Sequence, residues 1–173
     1  MSPVRIGLNA SLLFLVFVVQ ETLISRIHLP LTGFSFYVAV LLLMVILENR
    51  TGAVILGFVG GLILDLSPAT ESPFGQWALI LTAVSYLIAV NAESIDEIVS
   101  RPVGLGIFVA LGSSLALFLY LFFIGLFGQA TGTIGRDSLV IGGNFLWTML
   151  LAPFFMPVLM VIRDATIGSR ERI

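Results

Sequence analysis

Long apolar runs separated by very short polar gaps limit what this chain can fold into more than any other feature. Six runs stand out: Ile6–Ile24, Thr32–Leu47 (with a start as early as Pro30), Gly52–Leu66, Pro73–Val90, Pro102–Phe127 and Ser138–Ile162. A bilayer core about 30 Å thick takes about 20 helical residues to cross. The second and third runs are short for that task. At 1.5 Å per residue, fifteen residues reach only about 23 Å, so these runs must thin the bilayer, extend into their flanks or sit shielded by neighbours. Composition points the same way: 58% of the 173 residues are hydrophobic and 10% are charged. A soluble domain carries about 25% charged residues, and a small globule needs a polar skin that this chain cannot supply. The expected fold class is therefore all-α: a polytopic membrane protein with six transmembrane helices in one compact bundle over residues 1–173. The gap "ENRTG" is the tightest and predicts an antiparallel hairpin of the second and third helices. No soluble domain and no internal repeat are expected.

The first run has the outline of a signal peptide, with Arg5 before an apolar stretch from Ala10 to Val19. The following "QETLISRIHLP" offers no small-residue cleavage site, so the run reads as a retained first span. Arginines orient the bundle, and there is no Lys. With the amino terminus in the cytoplasm, Arg5, Arg50, Arg101, Arg163, Arg170 and Arg172 lie inside, and only Arg26 and Arg136 lie outside. Cytoplasmic loops carry such an excess, so both termini are expected in the cytoplasm.

One stretch raises a chemical question: "GFVGGLILDLSPATESPFGQWAL", Gly57 to Leu79. Gly57, Gly61 and Asp65 are spaced i, i+4, i+8 and share one helix face. The GxxxG pattern lets another helix approach closely, either within the chain or from a partner. Ser72 before Pro73 reads as an N-cap with proline at the first helical position. The fourth helix would then present free N–H groups and its positive end on the side where Asp65 emerges. Asp65 or Glu71 is expected to bind that helix end.

This stretch resembles the signature of the rod shape-determining protein MreD family of small bacterial inner-membrane proteins. Their usual pattern is a Gly-containing helix ending in Asp-Leu, a short turn of small residues, Pro-Leu-Gly or Pro-Phe-Gly, and an apolar helix. The matching positions are Gly57, Gly61, Asp65, Leu66, Pro73, Phe74, Gly75 and Leu79. Outside this stretch only length, hydropathy and the number of expected spans agree. The turn "SPATES" has no residue-by-residue match to a family function. The resemblance implies a non-catalytic member of the cell-wall elongation machinery, multi-pass in the bacterial cytoplasmic membrane. It implies an MreC-like bitopic partner, with an MreB-like filament, a RodA-like synthase and a class B penicillin-binding protein in the wider complex. The Gly57/Gly61 face and the Asp65–Gly75 turn would be the partner surface.

Polar residues inside membrane spans are functional candidates by default. Asn144 is the main one, beside Gly142, Gly143 and Thr148. Its amide serves either a neighbouring helix or a ligand. Pro153 and Pro157 each remove a backbone donor and are expected to bend the last helix. In "NAESIDEIVSRP", Ile95, Ile98 and Val99 share a face opposite Glu93, Asp96 and Glu97. That pattern suits a short amphipathic surface helix, a solvated extension of the fourth helix, or a docking site for a basic partner.

Several chemistries lack their residues. Without Cys there is neither a disulfide nor a thiolate metal site. His28 stands alone, so no metal site is expected. No nucleophile–base spacing or phosphate loop is present, so neither enzyme activity nor a cofactor is expected. A net charge of −2 gives no footing for nucleic acid. Membrane lipid and protein partners remain. A second reading stays open beside them. Six short-looped helices also resemble the substrate-binding subunit of energy-coupling-factor vitamin transporters. Such a protein would hold a small solute near the outer face, close to Asp65 and Asn144.

Overall fold

The computed structural model describes residues 3–23, 34–67, 72–99, 101–128 and 132–168. Among these residues every regular element is an α-helix, and there are seven: α1 (Pro3–Thr22), α2 (Phe36–Ile46), α3 (Arg50–Asp65), α4 (Gln76–Val90), α5 (Ala92–Val99), α6 (Pro102–Leu126) and α7 (Ile134–Gly168). The fold class is all-α as expected. Two helices are long and apolar enough to cross a membrane: Pro102–Leu126, and Ile134–Val161 within α7.

The short α2 is the core of the molecule. Its sequence "FYVAVLLLMVI" is apolar on every side, and a helix without a polar stripe must be covered all round. Tyr37 through Val45 are all buried. Eleven residues make a rod of only about 16 Å. The second expected run thus forms a helix shorter than a membrane crossing, shielded by its neighbours.

Hydrogen bonds between helices fix their directions. At one face of the bundle, Asn9 on α1 donates to Glu48, just past the end of α2, at 3.1 Å. At the other face, Gln20 near the end of α1 accepts from the N–H of Tyr37 at the start of α2. Ser67, after α3, donates to Glu21 on that same face. Gln76 at the start of α4 donates to the carbonyl of Tyr120, late in α6. The hydroxyl of Ser114 on α6 donates to the carbonyl of Ile141 on α7. Successive long helices therefore run up and down, and the start of α1 and the end of α7 point to the same face.

The connections between helices follow expectation except at the start of the fourth helix. The "ENRTG" hairpin is present, with the Asn49 side chain capping α3 by accepting from the Gly52 N–H at 2.8 Å. Of the readings open for the segment after α4, the separate short helix is the one present: α5, divided from α4 by Asn91. The fourth helix begins at Gln76 rather than Pro73. Its N-cap is Gly75 at φ 95°, not Ser72. The Gln76 N–H donates back to the Pro73 carbonyl at 3.2 Å. Gly75 at φ 95° and ψ −6° occupies the third position of a type II turn, where a positive φ selects glycine. Pro-Phe-Gly is thus a turn leading into the helix, not its first residues. α7 runs unbroken through Pro153 and Pro157. Glu71 and His28 lie outside the described residues.

Candidate functional site

The stretch from Gly57 to Leu79 folds into a clasp between α3 and α4. Gly75 is the N-cap, so Trp77 and Ala78 are the second and third residues of α4. Their N–H groups are donors that no carbonyl of their own helix can reach. One carboxylate oxygen of Asp65 accepts from Trp77 and the other from Ala78, both at 3.0 Å. Capping residues normally accept from these positions within their own helix. Here the acceptor comes from the preceding helix and uses both oxygens. Asp65 is 9% exposed, so these charge-assisted bonds form away from water, facing the positive end of α4.

The two glycines set the distance that makes this reach possible. A β-carbon on Gly61 would fall 2.6 Å from the Trp77 carbonyl oxygen and 2.7 Å from the Ala78 nitrogen, and closer still to the Ala78 α-carbon. A β-carbon on Gly57 would fall 2.6 Å from the Leu81 carbonyl oxygen and would strike Ser85. Both positions therefore hold α4 backbone against α3 backbone. Gly60, between them, faces the other way, where the Tyr37 hydroxyl of α2 donates to its carbonyl at 2.8 Å. The proposed partner face is thus consumed by packing inside the chain. What the motif leaves outside is apolar: Leu66, Phe74 and Leu79 are 69%, 71% and 61% exposed, and Pro73 is exposed beside them.

Asn144 is 1% exposed and ties α7 to two neighbours. Its Oδ1 accepts from the Ser35 N–H at 3.1 Å, at the start of α2. Its Nδ2 donates to Ser113 Oγ at 3.0 Å and Ser114 Oγ at 3.3 Å, both on α6. The Ser113 hydroxyl itself donates to the Ala110 carbonyl at 3.1 Å. The amino-terminal donors of α2 are completed by Ser35 Oγ, which accepts from Val38, and by Gln20. The short central helix therefore starts inside the bundle with its N–H groups met by side chains of α1, α7 and its own cap.

Removing such a group leaves a buried donor behind, at a typical cost of about 1–3 kcal/mol. Asn144→Leu is expected to lose that much in detergent unfolding. Thr148, one turn further along α7, is the contrast. It is fully buried and its hydroxyl has no partner. Thr148→Val is expected to leave stability unchanged or raise it, because a buried unpaired hydroxyl is replaced by a methyl group.

Sequence reading overlooked the Gln76 side chain, Trp77, Tyr120 and the Ser113–Ser114 pair. Gln76 is buried and donates to the Tyr120 carbonyl at 3.0 Å, while the Trp77 and Tyr120 rings stack at 4.3 Å between centroids. The Gln76 signal lay in plain view inside the motif; the stacking of Trp77 on a residue 43 positions away did not. Among the described residues no group of His, Asp and Glu is arranged to hold a metal ion.

Comparison with known protein families, with characterised proteins and with solved structures finds no match to this chain.

Proposed function

We propose that this protein is a non-catalytic, multi-pass component of the bacterial cytoplasmic membrane, of the kind the MreD resemblance implies. It holds an MreC-like single-span partner within the rod-shape machinery and helps couple an MreB-like filament to RodA-like and penicillin-binding synthases. One observation favours this over the solute-binding reading. Both residues on which a solute site would rest are committed inside the fold. The two oxygens of Asp65 serve α4, and both polar atoms of Asn144 serve α2 and α6. The outer surface is correspondingly apolar, with Phe14, Leu111, Phe118, Leu150, Phe154 and Val158 half or more exposed. Such a surface suits lipid and partner helices rather than water.

In this reading α1, α2, α3, α4, α6 and α7 cross the membrane, with α2 sheltered by the others. The alternation of helix directions returns both chain ends to one side, and the arginine bias makes that side cytoplasmic. Coexpressed with an MreC-like protein and extracted in mild detergent, the chain is expected to elute with it as one complex. The chain has no Cys, so introduced thiols report topology cleanly. Cys at Ser2 and Ser169 should resist a membrane-impermeant reagent in intact spheroplasts, while Phe74→Cys should label. A retained small molecule in native mass spectrometry, with no co-eluting protein, would overturn the reading. Labelling at Ser2 with protection at Phe74 would invert the orientation.

A further inference from the structure

α7 holds two prolines, Pro153 and Pro157, inside a helix that does not break. Proline has no N–H, so the carbonyls four residues back, those of Met149 and Pro153, lose their donors in the ladder. The N–H groups on either side of each proline serve other carbonyls of the same ladder. No side chain among the described residues donates to either oxygen. Two successive turns of α7 thus each leave one strong acceptor over.

The position of these acceptors decides what must cover them. Asn144, Thr148, Ala152 and Met156 are the buried side of α7. Met149, Pro153 and Pro157 share the same i, i+4 spacing but are exposed, with Leu150 and Phe154 exposed beside them. The first charge after this stretch is Arg163, fourteen residues beyond Met149 and ten beyond Pro153. At 1.5 Å per residue the two carbonyls stand about 21 and 15 Å from that charge, within a hydrocarbon core about 30 Å thick. Backbone acceptors at that depth need a donor from protein, because lipid tails have none. A second copy packed through the same stripe brings none either, since its exposed side chains there are all apolar. Another helix bearing side-chain hydroxyls or amides does bring them.

We propose that the exposed Met149–Pro153–Pro157 stripe of α7 is the docking face for the transmembrane helix of a single-span partner, held through two side-chain donors (Ser, Thr, Asn or Gln) one turn apart on that helix. This rests on the membrane-bound, partner-holding reading above. The two acceptors lie four residues, about 6 Å, apart along α7. Donors at i and i+3 or i+4 of a helix lying alongside match that spacing.

The test uses the full-length chain and the full-length MreC-like protein. Photoreactive benzoyl-phenylalanine is placed at Leu150 or Phe154 beside the stripe, with controls at Leu79 on α4 and Leu111 on α6, which are also exposed. In coexpressing membranes, crosslinks to the partner's membrane segment are expected from the α7 positions and not from the controls. Pro153→Ala with Pro157→Ala returns both N–H groups to the ladder. In one detergent this double variant should keep or raise its thermal midpoint through helix propensity, yet bind the MreC-like protein about sevenfold more weakly, the worth of two hydrogen bonds within a membrane. Replacing the partner's hydroxyl or amide residues at the crosslinked level with Leu should weaken binding to the wild type by a similar factor. It should weaken binding to the double variant little further, because the acceptors are already satisfied there. Copurification with crosslinks only from the controls, or only to phospholipid at the stripe, overturns the docking face while leaving the partner reading standing. So does a crosslinked segment without Ser, Thr, Asn or Gln, an unchanged affinity of the double variant, or a fall in its midpoint. Absence of copurification with the MreC-like protein sinks the partner reading, and this inference with it.

Discussion

Replacing Asp65 with leucine is expected to lower the unfolding free energy by about 3–5 kcal/mol, the loss of two hydrogen bonds to a charged group. The Trp77 and Ala78 N–H groups would remain buried at the start of α4 with no acceptor. At about 2–4 °C per kcal/mol the thermal midpoint should fall by roughly 10 °C. Asp65→Asn is the informative companion. From the sequence alone it reads as a mild change, because asparagine keeps an acceptor. The geometry makes it worse than that. One amide oxygen can serve one N–H, but the NH2 group then faces the second N–H, donor against donor. A loss of about 2 kcal/mol is expected for Asn, intermediate between wild type and Leu. Equal midpoints for the wild type and both variants would show that the α4 donors find other partners and that the clasp carries no stability.

Gly61→Leu should be still more damaging. Its side chain would begin where the backbone of Trp77 and Ala78 already lies. A backbone obstacle cannot rotate away as a side chain can, so α3 and α4 must separate. Separation also pulls Asp65 off its two donors, and the steric and hydrogen-bond losses compound. Overpacking alone typically costs about 1–3 kcal/mol. Gly61→Ala is expected to reach the upper part of that range, and Gly61→Leu to yield no stable monodisperse protein. Gly142→Ala is the control, because a β-carbon there meets nothing within 4 Å. It should be neutral or slightly stabilising through helix propensity. Yield and thermal midpoint after extraction in one detergent check the series. A Gly61→Ala variant as stable as Gly142→Ala would refute the close approach.

These effects are large because of the environment the chain is proposed to occupy. Lipid tails are as apolar as leucine, so burial of apolar surface does little to hold membrane helices together. Close backbone packing and satisfied polar groups carry the cohesion instead. The clasp supplies both at once, and the Asn144 network supplies the second between α7, α6 and the start of α2. Dispersion between tightly approached helices adds many small terms that a larger residue at Gly57 or Gly61 would forfeit.

What could be read from the sequence follows period and solvent. The apolar runs announced helices, and the shortness of the Thr32–Leu47 run left shielding by neighbours as one of three ways to accommodate it, the one that α2 takes. The i, i+4, i+8 spacing put Gly57, Gly61 and Asp65 on one face, and the following Pro-Phe-Gly returned the chain to that face. These are local properties, set by 3.6 residues per turn and by the turn chemistry of glycine. The amphipathic pattern of 92–99 likewise announced a surface helix, though not that Asn91 would separate it from α4.

Which surface each face meets is a different matter, decided by tertiary structure. A GxxxG face serves a partner or a neighbour with the same sequence, and only the placement of α4 commits Gly57 and Gly61 to the interior. The N-cap moved from Ser72 to Gly75 because the Pro73–Gln76 turn and the Asp65 carboxylate together satisfy the helix start better than one serine hydroxyl. Asn144 reaches Ser35, 109 residues away, and Ser113, 31 residues away. No local pattern encodes such distances in the chain. Sequence periodicity alone determined the helices and their sticky faces; the partners of those faces were chosen by the packing that leaves fewest buried donors unpaired and brings backbones closest.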